Sequence, residues 1–281
     1  MRRLQAAVLG ANVGASRSPA IHEAAWAALG VSGRYLALDV APRRFPGLVG
    51  DLAAGGLAYV NVTIPHKRAA ARLADSCGPT AAAADAANTL VFGRKRAFDI
   101  RAENTDGAGL LDALADLGIE GWARKGQRAM VLVGSGGAAA GALVALAREG
   151  AAIRVLARRP AAARRMAARL PSALRGRVMV SPWTPAALAA SLDGACALVS
   201  AVPAAAWAAS EVRRGLDGVA RDTVILEMAY GEPTPLARSV RGRVRRYADG
   251  LPMLVHQAAR AVEIVLGRRP LLAPLFRAAR G

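Results

Sequence analysis

Val131-Leu132-Val133-Gly134-Ser135-Gly136-Gly137-Ala138-Ala139 reads as an apolar strand, a glycine turn and the first turn of a helix. Glycine in such a turn lets the backbone bend tightly and approach a pyrophosphate, and the helix N-terminus offers free N–H groups and a positive dipole end. Glycine turns also serve packing alone, so the setting decides. Here an apolar strand precedes the turn and an uncharged helix follows it, which favours a dinucleotide site. Ala129 to Ala147 contains no charged residue and is long enough to suggest a membrane span, but its Gly-Ser-Gly-Gly centre splits it into strand and helix.

The next expected strand, Ile153 to Ala157, runs into Arg158 and Arg159. A fold selective for NAD places an acid near this point, on the ribose 2′-hydroxyl. No Asp or Glu stands there, and two guanidinium groups suit a 2′-phosphate, so NADP is the expected cofactor. A chance arginine pair in so basic a chain is the plainer alternative.

Working outward, strands are expected at 4–9, 35–40, 59–64, 88–92, 97–101, 129–133, 153–157, 178–180, 198–201 and 224–227. Helices are expected at 19–29, 48–54, 66–75, 107–117, 138–149, 161–170 and 251–266. The segments 88–92 and 97–101 pair around the basic turn Gly93 to Arg96. The alternation suggests α/β units with parallel sheets and ligand sites at the carboxyl ends of the strands. Two such units are expected to join near residues 103–107.

The chain has 281 residues, ample for two cores at roughly 100 to 200 residues per domain. It carries 38 Lys plus Arg against 20 Asp plus Glu, a formal charge of +18. That balance invites a nucleic-acid reading. Yet only three of the basic residues are lysines (Lys67, Lys95, Lys125), and the arginines are scattered among 68 alanines rather than clustered. They read as solvated helix faces, and nucleic acid is not an expected partner. Cys77 and Cys196 are far apart, and His22, His66 and His256 form no ligand spacing, so neither disulfide nor metal is expected. In MRRLQAAVLGANVG, Gln5 and the glycines from Gly10 to Gly14 interrupt any signal-like run, which gives a cytoplasmic protein without membrane association as the expectation.

Four further segments are too polar for a core: Ser16-Arg17-Ser18-Pro19, Asn61-Val62-Thr63-Ile64-Pro65-His66-Lys67, Ala87-Asn88-Thr89 and Glu103-Asn104-Thr105-Asp106-Gly107. Each also suits an ordinary turn or helix cap, with Ser18 and Asp106 as the capping residues. Together they place hydroxyls, amides, a lysine and a carboxylate at strand ends, a set suited to a small polyhydroxy ligand.

These segments, the glycine turn and Gly250-Leu251-Pro252-Met253-Leu254-Val255-His256-Gln257-Ala258 occur in an order that resembles the shikimate dehydrogenase family over nearly the whole chain. The resemblance implies a two-domain α/β fold. Residues 1–104, completed by the helices of 251–281, would form the substrate-binding domain, and 105–250 a Rossmann-like NADP-binding domain. It implies reversible NADPH-dependent reduction of 3-dehydroshikimate to shikimate, a step of chorismate and aromatic amino-acid biosynthesis, by a monomer or homodimer. Lys67 and Asp106 match the family's catalytic pair, and Ser16, Ser18, Thr63, Lys67, Asn88, Asp106, Tyr230 and Gln257 its substrate-binding positions. Gly134, Ser135, Gly136, Gly137, Ala138, Ala157, Arg158, Arg159, Val202 and Gly250 match cofactor-binding positions.

Scarcity adds to the case for Lys67: a chain that uses arginine nearly everywhere keeps a compact, ionisable ammonium in this segment. Replacing Lys67 by Ala is expected to abolish turnover with little change in fold. The chain departs from the family pattern at Ser200-Ala201-Val202-Pro203-Ala204-Ala205 and at Tyr230-Gly231-Glu232-Pro233, both on the cofactor side. A quinate or aminoshikimate dehydrogenase, or a weakly catalytic paralogue that binds a metabolite, are the alternatives these departures leave open.

Overall fold

A computed structural model describes residues 3–93, 99–119 and 129–281. The chain divides into two compact units, one of Met1–Gly109 with Leu254–Gly281 and one of Leu110–Met253.

In the first unit the chain runs through β1 (Leu4–Gly10), α1 (Ser18–Ala28), β2 (Gly33–Asp39), α2 (Phe45–Ala54), β3 (Tyr59–Val62) and α3 (Lys67–Leu73). There follow β4 (Ser76–Cys77), α4 (Pro79–Ala84), β5 (Thr89–Phe92), β6 (Ile100–Glu103) and α5 (Asp106–Asp116). The sheet order is β2-β1-β3-β5-β6-β4. It is mixed rather than wholly parallel: β1 pairs in parallel with β2 and β3, while β5 runs antiparallel to both β3 and β6. For the β5–β6 pair the reason is length: seven residues, 93–99, join the two strands, and a parallel pair needs a dozen residues or more to return. The described part of the second arm is Ile100–Glu103, and residues 94–98, which hold most of the expected basic turn and the start of the expected strand 97–101, lie outside the described residues.

The second unit contains β7 (Ala129–Val133), α6 (Gly137–Arg148), β8 (Ile153–Ala157), α7 (Pro160–Ala167), α8 (Ser172–Arg175) and β9 (Val178–Pro182). It continues with α9 (Pro185–Leu192), β10 (Ala195–Ser200), α10 (Ser210–Arg213), β11 (Val224–Glu227), α11 (Pro235–Val240) and β12 (Arg246–Ala248). Its sheet, β12-β11-β10-β7-β8-β9, is parallel at every pairing. The chain order reverses between β7 and β10, and in open α/β sheets ligands bind beyond the strand ends at such a point. The last helices are α12 (Leu251–Leu266) and α13 (Leu272–Arg280), and α13 packs on α1 within the first unit.

Proline stands in the first turn of α1, α2, α4, α7, α9 and α11, where its missing N–H is no loss and its fixed φ suits a helix start. The strands bury β-branched and leucine side chains: Val60, Val62 and Leu90 meet Phe45 and Val49 of α2 in one core, and Val131, Val133, Leu198 and Ile225 meet Leu188 and Trp207 in the other. The few aromatics are concentrated, with Trp26, Tyr59, Phe45 and Trp207 among the largest fully buried side chains. Each buried leucine- or phenylalanine-sized group contributes about 1.5–3 kcal/mol.

Candidate active site

In the first unit Lys67 opens α3 and is buried. Two contacts hold the segment before it. The His66 ring donates to the Val40 carbonyl at 2.8 Å and stacks on Phe45 at 4.5 Å. Gly10 lets the 63–64 turn approach, since a Cβ there would lie 2.3 Å from Thr63 Cγ2.

Lys67 Nζ meets Asp106 Oδ2 at 2.5 Å, with side-chain exposures of 11% and 4%. Asp106 opens α5, and its N–H donates to Asn104 Oδ1 at 3.1 Å, while Asn104 Nδ2 donates to the Ala86 carbonyl at 2.8 Å. The Asp106 carboxylate is therefore not a helix cap; both of its oxygens are taken up by Lys67 and Asn88. Asn88 Nδ2 lies 3.0 Å from Asp106 Oδ1 and 2.6 Å from Gln257 Oε1, and its Oδ1 accepts from the Thr105 N–H at 2.8 Å. Thus Lys67, Asn88, Asp106 and Gln257 converge from α3, the start of β5, α5 and α12.

Ser16 and Ser18 adjoin each other, Ser16 Oγ accepting from the Ser18 N–H at 3.2 Å. Ser18 is the first residue inside α1 and no side chain caps that helix, so the expectation that Ser18 caps it is not met. Thr63 is half-buried on the turn before Lys67.

The remaining positions lie in the second unit. Gly134 follows β7 with φ +133°, and a Cβ would sit 2.9 Å from the Ala201 carbonyl, so only glycine fits without strain. Gly136 is the N-cap of α6 and offers no side-chain cap, leaving the first N–H groups of a twelve-residue helix beside Ser135, Gly137 and Ala138. Ala157 ends β8 buried, while Arg158 and Arg159 are exposed just beyond it, with no acidic side chain on that turn. Val202 follows β10, the strand next to β7. These residues fit NADP: a cradle that excludes a Cβ, an uncapped helix N-terminus and two free-standing guanidiniums past the second strand.

Gly250 has a packing reason of its own, since its Cβ would lie 2.2 Å from the Met228 carbonyl. Tyr230 is half-buried on the turn after β11. That turn is tied down by Glu227, which is fully buried at the end of β11: Thr234 Oγ1 donates to its Oε2 at 2.5 Å and Tyr247 donates at 3.1 Å. Burial pushes the Glu227 carboxyl above its ordinary range. In the altered 200–205 segment, Ser200 Oγ accepts from Trp207 Nε1 at 2.9 Å, so serine and tryptophan together fix the Ala204–Trp207 turn. No local sequence signal marks Glu227, and Asn61 stands out in the sequence only as part of a motif. Among the described residues no group of three or more His, Cys, Asp or Glu side chains could hold a metal ion, and no helix is long and apolar enough to cross a membrane.

The two units thus define a two-domain α/β chain that joins a glycine-turn nucleotide fold to a buried lysine–aspartate site. Residues 8–90 match the model for the shikimate dehydrogenase substrate binding domain. A shikimate dehydrogenase (NADP(+)) of Methylobacterium radiotolerans is 37% identical over 97% of this chain and 95% of its own. Among solved structures, Mycobacterium tuberculosis shikimate dehydrogenase superposes with TM-score 0.82 at 32% identity, covering 99% of both chains. The Thermus thermophilus shikimate 5-dehydrogenase in complex with NADP(H) and shikimate gives 0.79 at 27%, covering 99% of this chain and 98% of its own. The chain belongs to the shikimate dehydrogenase family, whose curated members are NADP-dependent oxidoreductases.

Proposed function

We propose that this chain catalyses the reversible NADPH-dependent reduction of 3-dehydroshikimate to shikimate, a step toward chorismate and the aromatic amino acids. The observation that carries the proposal is the buried Lys67–Asp106 contact at 2.5 Å, clamped by Asn88, in a chain of this family. Gly134, Ser135, Gly136, Gly137 and Ala138 would hold the pyrophosphate, with Ala157, Arg158 and Arg159 at the 2′-phosphate and Val202 and Gly250 on the nicotinamide side. NADPH bound there supplies the hydride.

The chain's own residues handle the ring and the proton. Ser16 and Ser18 receive the ring carboxylate; Thr63, Asn88, Tyr230 and Gln257 bind ring oxygens. As the ketone becomes an alcohol, Lys67 Nζ delivers a proton to its oxygen, and in the reverse direction the same nitrogen takes that proton. Asp106 holds Nζ in place through Oδ2, and Asn88 keeps Oδ1 from turning away. Burial excludes competing water from the pair. We assign the chain to the cytoplasm, as a monomer or homodimer whose partners are its two small-molecule ligands, without nucleic acid or membrane.

The test follows nicotinamide absorbance with shikimate or quinate offered against NADP or NAD. Turnover best with shikimate and NADP supports the proposal. Preference for quinate moves the substrate assignment, and absence of turnover in all four pairs supports a metabolite-binding protein.

A further inference from the structure

Behind the lysine–aspartate pair runs a buried chain of polar side chains, of which the proposed chemistry uses only Asn88 and Asp106. Tyr35 OH donates to Asn61 Oδ1 at 2.7 Å; Asn61 Nδ2 donates to Thr89 Oγ1 at 2.9 Å; Thr89 Oγ1 donates to Asn88 Oδ1 at 3.3 Å; Asn88 Nδ2 donates to Asp106 Oδ1 at 3.0 Å. Tyr35, Asn61, Asn88, Thr89 and Asp106 are each buried.

Two backbone groups fix the direction of every link. Asn61 Nδ2 also faces the Asn88 carbonyl at 3.2 Å, and only an amide nitrogen can face a carbonyl, so Oδ1 must point at Tyr35 and the phenol must donate. Asn88 Oδ1 faces the Thr105 N–H at 2.8 Å, which leaves its nitrogen to face Asp106 Oδ1, Gln257 Oε1 and Thr105 Oγ1. Thr89, having accepted from Asn61, turns its proton toward Asn88. Donation therefore runs one way, from the phenol to the carboxylate, and successive links polarise one another.

The phenol itself is held. His22 stacks on Tyr35 with centroids 4.4 Å apart, and its Nδ1 pairs with Tyr59 OH at 2.7 Å. Burial keeps Tyr35 protonated, and therefore a donor, by raising its pKa well above the ordinary value, and pushes His22 down to about 3.

We propose that Tyr35, Asn61 and Thr89 are positioning residues that act through Asn88 to set the rotation of the Asp106 carboxylate, and hence where Lys67 presents its proton. This rests on the reductase function proposed above. The relay tunes the proton-transfer step and leaves affinity for the ring nearly untouched, because none of the three is assigned a contact with substrate.

Tyr35→Phe and Thr89→Val are expected to lower kcat by about threefold to tenfold, the net worth of one neutral hydrogen bond. KM for shikimate should hold within about twofold, and Thr89→Ser should recover kcat because it keeps the hydroxyl. The Asn88 side-chain amide resonance, assigned by its loss in Asn88→Asp, should move in Tyr35→Phe and Thr89→Val and return in Thr89→Ser. A structural role alone would lower thermal stability and leave kcat per folded molecule unchanged, and that result overturns the proposal. So does an Asn88 resonance indifferent to all three variants. The amide reading needs no turnover, so it judges the relay even if the native chain reduces no ring ketone.

Discussion

Lys67→Met removes the ammonium while keeping most of the apolar stem, and it separates chemistry from stability. The side chain is 11% exposed and its partner 4%. Loss of a positioned proton donor slows turnover by about 10²- to 10⁴-fold, equivalent to about 3–5 kcal/mol of barrier. The same change strands the Asp106 carboxylate, with Asn88 still on Oδ1 and nothing on Oδ2, and breaking a buried pair from one side costs about 3–5 kcal/mol of stability. Burial thus alters the expectation drawn from the sequence, that losing the lysine leaves the fold nearly undisturbed. Lys67→Met/Asp106→Asn removes both charges together, so it should regain most of the lost stability and none of the lost turnover. Steady-state kinetics with shikimate, run beside urea unfolding of native, single and double variants, measures both quantities. A single variant turning over within about tenfold of native refutes Lys67 as the proton carrier. A single variant as stable as native refutes the buried ion pair.

His22 gives a pH dependence of defined sign. Its folded pKa falls from 6.5 to about 3, so its contribution to stability is complete above 6.5 and is lost as pH drops below it. Between about pH 7.5 and about pH 5 the native chain should lose about 2 kcal/mol that His22→Gln does not lose, measured as the difference between their unfolding free energies; equal losses count against a buried neutral imidazole. Gly134→Ala puts a Cβ 2.9 Å from the Ala201 carbonyl at φ +133°, and should weaken NADPH binding by at least about tenfold in a fluorescence titration, whereas unchanged affinity means the turn does not carry the pyrophosphate. Removing both Arg158 and Arg159 should raise KM for NADPH by about 10- to 100-fold and leave KM for NADH alone; a parallel rise in both places the 2′-phosphate elsewhere.

Several parts of this architecture are local in the sequence. The uncharged strand–glycine–helix run predicts β7, the Gly134 turn and α6 because a buried parallel strand and a backbone at positive φ each impose a short-range signature. The bounds of α12, Leu251–Leu266, follow from an amphipathic period long enough to read. The strands Ser76–Cys77 and Arg246–Ala248 do not announce themselves, since two or three residues hold no period and are strands only because a neighbour supplies the ladder. The short helices α8, α10 and α11 are too brief to show a face.

The sequence alone determined which residue types were available for chemistry, above all a lysine kept among arginines, and the motif order that marks the family. Tertiary structure decided how they meet. Asn88 and Gln257 touch across 169 positions, and Tyr35 reaches Asn61 only because β2 and β3 flank β1 in register. Side-chain direction in a sheet is set by pairing, and pairing is a property of strands far apart in the chain. The burial that turns a helix-start lysine into one half of an ion pair is likewise a sum over many elements, and no single segment carries it.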